Sequence, residues 1–379
     1  ERRRAGSAQY ETEQEPDMHN ANEVARQLIS RFAPEYRMQI RLDDQTIAIA
    51  CNRADIREQL SRYFRHIVEP HDGQEPQVFV LHADTKEPSL ASPLTAWARE
   101  PGKTRQKEAF AELAGGRLIA KVRTGMQFLV SPERILALGD CRSNLNQVIN
   151  VINARYITHL LQAGGVLCHA AAAAGAGTGV AFAGVSGAGK STLMLHCVGR
   201  GASFTSNDRL ILEDSHPVRM RGVPKLPRIN PGTALSIKEL QSILDAERRR
   251  ELEGWDADAL WNLEEKYDVD VETIYGSNRI VHAAPLDGFI VLTWSRTNGT
   301  QCRIERLDID DDPRLLEAIC KSPGPFHFDE SGQFLSGYQP PSPDAYREIL
   351  SRVPIYRIDG GIDFDAAANH ALEILQIKT

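Results

Sequence analysis

The sequence lacks several features that would place it in a specialised class. Its six cysteines form no Cys-x-x-Cys pair, so neither a zinc site nor a disulfide framework is indicated, and we expect free thiols in a reducing compartment. No apolar stretch follows the polar N-terminus, so no signal peptide is predicted. A net charge of −7 has the wrong sign for a dedicated nucleic-acid binder. We therefore expect a cytoplasmic protein without a nucleic-acid partner.

A run free of Asp, Glu, Lys and Arg extends from Tyr156 to Gly189, which exceeds the ~20 residues that a membrane span needs. The run contains eight glycines, two histidines and Gln162. Its glycines are clustered, as at turns between strands. Buried strands explain this composition better than a membrane helix, so we expect no membrane partner.

With 379 residues the chain has room for two or three domains. We predict a disordered segment at 1–18, a small α+β domain at 19–143 and a second domain at 144–379, with a charged helical insertion near 234–275. Residues 84–108 are predicted to form an exposed Pro-rich excursion. Apolar spacing in the first domain predicts helices at Asn20–Phe32 and Arg53–His66, strands at Met38–Leu42, Thr46–Cys51 and Val78–His82, and a hairpin of Arg117–Arg123 with Met126–Val130.

The second domain is predicted to contain both helices and strands, and the fold class is α/β. Its predicted elements are a helix at Leu145–Gln162, strands at Val166–Ala173 and Val180–Gly184, a helix from Lys190 to Val198, strands at Ser203–Thr205 and Arg209–Leu212, a charged helical stretch at 234–268, a hairpin of Phe289–Trp294 with Cys302–Leu307 around Asn298-Gly299, a helix at Pro313–Cys320 and two closing helices.

One segment carries a motif with a known physical mechanism. Gly184-Val185-Ser186-Gly187-Ala188-Gly189-Lys190-Ser191, followed by Thr192, matches the pattern G-x-x-x-x-G-K-[ST] without a mismatch. The glycines let the backbone curl so that N–H groups point at phosphate oxygens, and the following helix N-terminus adds to the attraction. Lys190 is expected to contact the β- and γ-phosphates, and Ser191 to ligate Mg²⁺. We therefore expect ATP and Mg²⁺ as ligands.

Two further residues are candidates for catalysis. Asp208 is the only acid in Thr205–Arg209, at the end of an apolar strand segment. A carboxylate there can bind the metal or accept a proton from an incoming hydroxyl, and the alternative is an Asp that only caps a turn. His169 lies upstream in a predicted strand, where a packed core histidine is the alternative to a catalytic one.

Together these pieces resemble the HPr kinase/phosphorylase family, in particular its HPr-kinase-related bacterial relatives. The segments that carry the resemblance fall within roughly residues 150–230 and are Cys168-His169, the loop at 184–191, Gly199-Arg200-Gly201 and Asn207-Asp208-Arg209. The resemblance implies a P-loop kinase domain of the HPr-kinase/phosphoenolpyruvate-carboxykinase type and a homo-oligomer. It also implies that His169, Lys190, Ser191 and Asp208 lie near the transferred phosphate and its metal.

Two positions depart from the family pattern. The first acid of the family's acidic pair is Asn207 here, which leaves either Asp208 or His169 as the base. The family's Glu-x-Arg-Gly corresponds to Arg219-Met220-Arg221-Gly222, where Arg219 replaces the acid that helps to bind metal. A second metal site would therefore lack this acid here, and the family's reverse phosphorolysis depends on that site.

The segment 219–228 is rich in cations and is stiffened by two prolines. A stiff basic loop near a γ-phosphate suits an anionic acceptor or the charge of the transition state. We therefore predict that Arg221, Lys225 and Arg228 bind the acceptor. An ordinary exposed surface loop is the alternative.

Three functions fit these residues. The first is an ATP-dependent kinase that transfers the γ-phosphate to a hydroxyl of a protein Ser/Thr or of a small molecule. The second is an ATPase or GTPase switch in which water is the acceptor. The third is a nucleotide-sensing module without turnover, which the two missing acids favour. The resemblance favours the kinase, and the acceptor stays unidentified at this point.

Overall fold

The computed structural model describes residues 20–83, 93–99, 104–263, 265–296 and 299–378. The predicted disorder at 1–18, most of the excursion at 84–108 and the turn residue Asn298 lie outside these ranges. Within them the chain is a mixed α/β protein with several sheets. The six cysteines are free thiols, and four of them are buried.

The part of the chain up to residue 162 builds a sheet of nine strands among the described residues. In chain order its elements are α1 (Ala21–Phe32), β1 (Tyr36–Leu42), β2 (Gln45–Cys51), α2 (Ala54–Tyr63), β3 (Val68–Glu69), β4 (Val78–His82), β5 (Thr95–Ala96), β6 (Glu108–Leu113), β7 (Gly116–Lys121), β8 (Gln127–Val130), β9 (Ile135–Gly139) and α3 (Leu145–Gln162). The strand order is β3-β1-β2-β4-β9-β8-β7-β6-β5, so β1 and β5 lie toward opposite edges.

Strand β4 shows why this sheet is covered on both faces. Its residues are apolar on either side of the pleat: Val78 and Val80 join the core with α2 and α3, whereas Phe79 and Leu81 join the core with α1. Successive side chains of a strand point to opposite faces, so an unbroken apolar run requires cover on both.

The rest of the chain forms a four-stranded, a six-stranded and a two-stranded sheet, counted over the described residues. Its elements are β10 (Val166–Cys168), β11 (Ala171–Ala174), β12 (Gly179–Gly184), α4 (Lys190–Gly199), β13 (Ser203–Ser206), β14 (Leu210–Glu213), β15 (Arg219–Gly222), β16 (Arg228–Ile229), α5 (Pro231–Ser236), a 3-10 helix (Lys238–Ile243), α6 (Ala246–Glu253), α7 (Ala257–Asn262), β17 (Tyr267–Asp268), α8 (Val271–Tyr275), β18 (Ala283–Pro285), β19 (Gly288–Leu292), β20 (Arg303–Leu307), α9 (Pro313–Ile319), α10 (Pro343–Leu350), β21 (Ile355–Asp359) and α11 (Phe364–Ile374).

The six-stranded sheet, ordered β13-β11-β12-β19-β21-β20, has β12 near its centre. Val180 and Phe182 pack with α4 and α11, and Ala181 and Ala183 pack with α9 and α10 on the other face. Because both faces of β12 are buried, its side chains are apolar, which agrees with the buried strands predicted for the charge-free run from Tyr156 to Gly189. No helix in the described ranges combines the length and the apolar character needed to cross a membrane.

Several predicted elements are confirmed with little change in their bounds. The helix Leu145–Gln162 and the strand Val78–His82 have the predicted ends. The hairpin of β7 with β8 pairs antiparallel across Gly125, whose φ of 70° is the left-handed conformation that glycine tolerates. The charged stretch at 234–268 is helical only as far as Asn262, where it is divided into short helices, and it ends in strand β17.

Two strand predictions are wrong. The predicted strand Val166–Ala173 is two strands, because β10 pairs with β14 in one sheet and β11 pairs with β12 and β13 in another. The predicted hairpin of Phe289–Trp294 with Cys302–Leu307 does not form, because β21 lies between β19 and β20 and pairs with both. The strand Ile355–Asp359 was also missed, since only helices were predicted to close the chain.

The boundary between residues 143 and 144 stays a prediction. The nine-stranded sheet uses only strands that precede α3, which agrees with that division. However, the core that covers one face of this sheet also contains Val148 and Ile152 from α3 and Leu167 and Ile211 from later strands. The two parts therefore share a continuous core.

Candidate functional site

The loop between β12 and α4 has the backbone that its glycines predict. Gly184, Gly187 and Gly189 have φ values of 148°, 84° and 89°. A Cβ on Gly184 would lie 2.7 Å from the carbonyl oxygen of Leu292, so a larger residue cannot occupy this position. We refer to residues Gly184–Ser191 as the glycine loop.

Backbone N–H groups of the glycine loop are available to a ligand. Within the described part of the chain, the N–H groups of Ser186, Gly187 and Gly189 donate to no protein acceptor. Val185 is 70% exposed, so the loop is open to solvent. Successive N–H groups in such a curl, placed before a helix N-terminus, form an anion-binding concavity.

The polar side chains at the end of the loop and directly after it have hydrogen-bond partners within the protein. The buried Lys190 ammonium donates from Nζ to the carbonyl oxygens of Gly184 and Val185, at 2.8 and 3.2 Å. Ser191 Oγ donates to Asn207 Oδ1 at 2.6 Å. Thr192 Oγ1 lies 2.8 Å from Thr233 Oγ1. Lys190 therefore lies directly at the loop, where an anion would take over from the two carbonyl oxygens.

Aromatic side chains brace the back of the loop. Trp294 Nε1 donates to the carbonyl oxygen of Ala188 at 2.8 Å. Phe364, at the start of α11, packs edge-to-face on Trp294 with ring centroids 5.0 Å apart. A Cβ on Gly189 would lie 2.8 Å from the Phe364 ring. The loop is thus fixed between its own helix and the last helix of the chain.

His169 and Asp208 are far apart in the sequence but come together in the fold. His169 lies where the chain passes from β10 to β11, and Asp208 lies in the turn between β13 and β14. His169 Nε2 is 3.2 Å from Asp208 Oδ1. Lys321 Nζ is 3.5 Å from Asp208 Oδ2. Asp208 has a φ of 71°, an unusual value for a residue other than glycine that clusters at functional positions.

The charges around this pair favour a neutral imidazole beside an ionised carboxylate. The hydrogen bond to Asp208 raises the pKa of His169, but burial and the charges of Lys321 and Lys190 outweigh it, so the pKa lies below its usual value. Desolvation raises the pKa of Asp208, but the hydrogen bond from His169 and the charges of Lys321 and Arg209 hold it far below its usual range. At neutral pH the pair is therefore able to accept a proton.

The oxygen atoms near the loop fit a nucleotide-bound Mg²⁺ rather than an independent metal cage. No cluster of three His, Cys, Asp or Glu side chains suited to a metal occurs in the described ranges. Mg²⁺ in nucleotide sites takes one or two protein oxygens and receives the others from phosphates and water. Ser191 Oγ and the ionised carboxylate of Asp208 are oxygens of this kind. Ser191 Oγ donates to Asn207, the residue directly before Asp208.

The three residues predicted to bind the acceptor are all engaged elsewhere in this structure. Arg221 lies in β15 and pairs through Nε with Glu213 at 2.8 Å and through Nη1 with Asp43. Arg228 pairs with Asp268 at 2.8 Å. Lys225 Nζ donates to Asn150 at 2.8 Å, and burial, reinforced by repulsion from Arg209, lowers the pKa of Lys225 to about 8. Their assignment to the acceptor stays untested.

We expect the Arg221 side chain to contribute mainly to stability. It is only 9% exposed and connects β15 to the β1–β2 turn, so Arg221→Ala would leave Glu213 and Asp43 without their cation. Because both acids keep some contact with water, we expect a loss of about 2 kcal/mol in the free energy of unfolding. Urea denaturation measures this change.

Arg219→Ala is the matched control, since Arg219 lies on the same strand and contacts the same Asp43 at 3.4 Å but is 43% exposed. Its loss should cost less than about 1 kcal/mol. Equal destabilisation by the two variants would contradict the structural role of Arg221.

A cavity of about 990 Å³ opens beside the glycine loop. Ser186 of the loop and the His169–Asp208 pair line it from the C-terminal part of the chain. The edge of the nine-stranded sheet lines it from the other side, together with the stretch 320–327 and several residues of 338–347. We call this space the central cavity.

Some residues of this site carry no signal in the sequence. Lys321 reaches Asp208 from a position 113 residues later in the chain. Arg105 and Lys107 line the central cavity from the strand edge at β6. They precede no motif and have no characteristic spacing, so only the folded chain brings them to the glycine loop.

Comparisons with known proteins leave the family open. No protein-family model matches the chain, and no curated protein matches it. Among solved structures, the chain is similar to the Hpr(Ser) kinase/phosphatase from Coxiella burnetii, with 13% sequence identity over 55% of this chain and 92% of that chain and a TM-score of 0.28. A likeness at this TM-score carries no argument about activity.

Proposed function

We propose that this chain is a phosphotransferase that binds ATP with Mg²⁺ at the glycine loop and transfers the γ-phosphate to a hydroxyl. One observation supports this function above the others. A loop with unsatisfied N–H groups and a His–Asp pair able to accept a proton line the same cavity. Phosphoryl transfer requires these two elements side by side, because the phosphate must be held while the hydroxyl loses its proton.

Residues of the glycine loop and Asp208 would bind the phosphates and Mg²⁺. N–H groups of the loop and the ammonium of Lys190 hold the phosphates, with Lys190 exchanging the carbonyl oxygens of Gly184 and Val185 for phosphate oxygens. Ser191 and Asp208 would hold Mg²⁺, which supplies charge neutralisation at the β- and γ-phosphates.

The transfer itself exchanges one P–O bond for another. The acceptor oxygen bonds to the γ-phosphorus, the bond to the β,γ-bridging oxygen breaks, and ADP leaves. The hydroxyl proton passes to the His169–Asp208 pair. Lys321 and Arg209, which surround Asp208, stabilise the negative charge on the transferred group.

An experiment with γ-labelled ATP in native cell extract distinguishes transfer to a hydroxyl from ATP hydrolysis and from nucleotide binding without turnover. We expect label to move from ATP to an acceptor in the presence of the protein, and Asp208→Asn to prevent it. Release of labelled phosphate alone would indicate an ATPase instead. Tight ATP binding without any turnover would indicate a nucleotide-sensing module, and either result would refute the proposed transfer.

A further inference from the structure

We propose that the central cavity binds a small anionic molecule, which carries the acceptor hydroxyl; this proposal rests on the phosphotransfer proposed above. Its chemical class is a hydroxyl compound with a carboxylate or phosphate group. The hydroxyl would approach the His169–Asp208 pair, and the anionic group would be held by cations at the edge of the nine-stranded sheet. As in the transfer described above, the His169–Asp208 pair takes up the hydroxyl proton and ADP is the leaving group.

The size and walls of the cavity suit a compact molecule. A volume of about 990 Å³ lies at the upper end of the range for small-molecule sites, roughly 300–1,000 Å³. Trp97 and Gln106 form one wall, and Pro325 and Phe326 form part of another. These walls stand beside the reacting groups, so a folded protein surface would have to present its hydroxyl on a long projection to enter.

The charge of the lining favours an anion. Arg105, Lys107 and Arg209 line the cavity; Arg105 and Lys107 form no ion pair with a described residue, and Arg209 acts on Asp208 through its charge. Two other lining cations pair with carboxylates, Lys121 with Glu108 at 2.6 Å and Arg347 with Asp344 at 3.0 Å. In a chain of net charge −7, this cavity is lined by more Lys and Arg side chains than carboxylates, since its lining acids are Glu108, Asp208 and Glu317. Such an excess produces a local positive field that attracts an anionic ligand.

One wall of the cavity is held in place by contacts of the buried Arg117 side chain. Arg117 is fully buried and donates to the carbonyl oxygens of Pro325, which lines the cavity, and Leu335, at 3.2 and 2.7 Å. Its guanidinium also lies 4.5 Å from the Phe110 ring centroid and 4.6 Å from that of Phe334. These contacts fix the stretch 325–335 to the β6–β7 hairpin, so the cavity has its shape before a ligand binds.

Phosphate binding tests the anion site without requiring turnover. The probe is inorganic phosphate, titrated calorimetrically into full-length protein that is saturated with Mg²⁺ and a β,γ-imido analogue of ATP, so that the glycine loop is filled. We expect Arg105→Gln with Lys107→Gln to weaken phosphate binding about tenfold, since two exposed charges are lost near the anion. Neither side chain packs in a core, so both variants should fold normally.

The matched control removes two exposed cations elsewhere on the same part of the chain. Arg37 lies on β1, toward the opposite edge of the sheet, and Arg62 lies on α2, which packs against β1. Arg37→Gln with Arg62→Gln should leave phosphate binding unchanged. Equal affinities in the two double variants, or no phosphate binding by the wild type, would overturn the anion site.

Size is tested by fractionating the extract. Extract is separated into molecules below and above about 3 kDa, and each fraction receives protein and γ-labelled ATP. We expect label in the small fraction, on species retained by an anion exchanger, and a lower kcat/KM for the Arg105→Gln, Lys107→Gln variant. Label on protein alone would overturn the small-molecule acceptor while keeping the kinase. Absence of transfer from both fractions would contradict the proposed function itself, whereas phosphate titration would still decide the anion site.

Discussion

Asp208→Asn should lower the rate of phosphoryl transfer at least about 100-fold, the usual scale for loss of a general base. The amide cannot take up a proton or carry the charge that would hold Mg²⁺. It still offers an oxygen to His169 Nε2, and Asn tolerates the left-handed backbone found at this position, where φ is 71°. The change is therefore chemical rather than conformational. Steady-state ADP release and label transfer measure it.

His169→Gln separates the two candidate bases. Because the pKa of His169 lies below its usual value, its neutral form predominates at neutral pH and is lost as the pH falls through that lowered pKa. If His169 is the base, wild-type turnover should show an acid limb, displaced to lower pH than that of an ordinary imidazole, that His169→Gln abolishes with most of the activity. If Asp208 is the base, the Gln variant should keep substantial activity. Near-normal rates in both single variants would refute the role of the pair.

Lys190→Met should weaken ATP·Mg²⁺ binding by roughly 100-fold or more, since charged hydrogen bonds to two phosphate groups are worth about 1.5–3 kcal/mol each. The methionine keeps the apolar stem of the lysine inside the core and removes only the ammonium. Isothermal titration with ATP·Mg²⁺ gives the affinity, and a thermal melt of the same sample gives the stability.

Lys190→Ala is the companion variant, because it removes the stem as well. We expect the two variants to lose nucleotide binding equally and the alanine to melt at a slightly lower temperature. Unchanged affinity in Lys190→Met would remove the basis for assigning the glycine loop to phosphate.

Elements with a strong local pattern were predictable from the sequence. Helix Leu145–Gln162 has apolar residues at helical spacing and glycines at its end, and strand Val78–His82 is continuously apolar, so each was predicted with its observed ends. The glycine loop was equally clear, because its motif contains both the turn and the start of α4.

Partner choice between strands was not predictable in the same way. Strands β19 and β20 are consecutive in the chain, yet β21, almost fifty residues after β20, pairs with both. Likewise Val166–Ala173 looks like one apolar strand, and only the folded chain shows that His169 stands where it divides between two sheets. Such pairings are decided by the burial of whole faces, which a local window does not contain.

In the candidate site, too, some residues have a local sequence signal and others are brought together only by folding. His169, Lys190 and Asp208 were predicted as site residues because they lie in or near a recognisable loop motif in the sequence. Lys321 and Arg105 reach the same cavity from distant parts of the chain and have no local signal. The ion pairs of the basic segment at 219–228 have no local signal either, because Asp43 and Asp268, which pair with Arg221 and Arg228, lie outside it in the sequence.

The bracing of the glycine loop by α11 has a consequence for how the chain becomes functional during its synthesis. The end of α4 is synthesised about 95 residues before Trp294 and about 165 before Phe364. At typical rates of synthesis the second interval is a delay of roughly ten seconds or more. Until then β12 lacks its neighbour β19, and Gly189 lacks the ring that packs against it. A nascent or prematurely ended chain would thus carry the complete motif without its supported shape, and nucleotide binding would begin only when the last helix has docked.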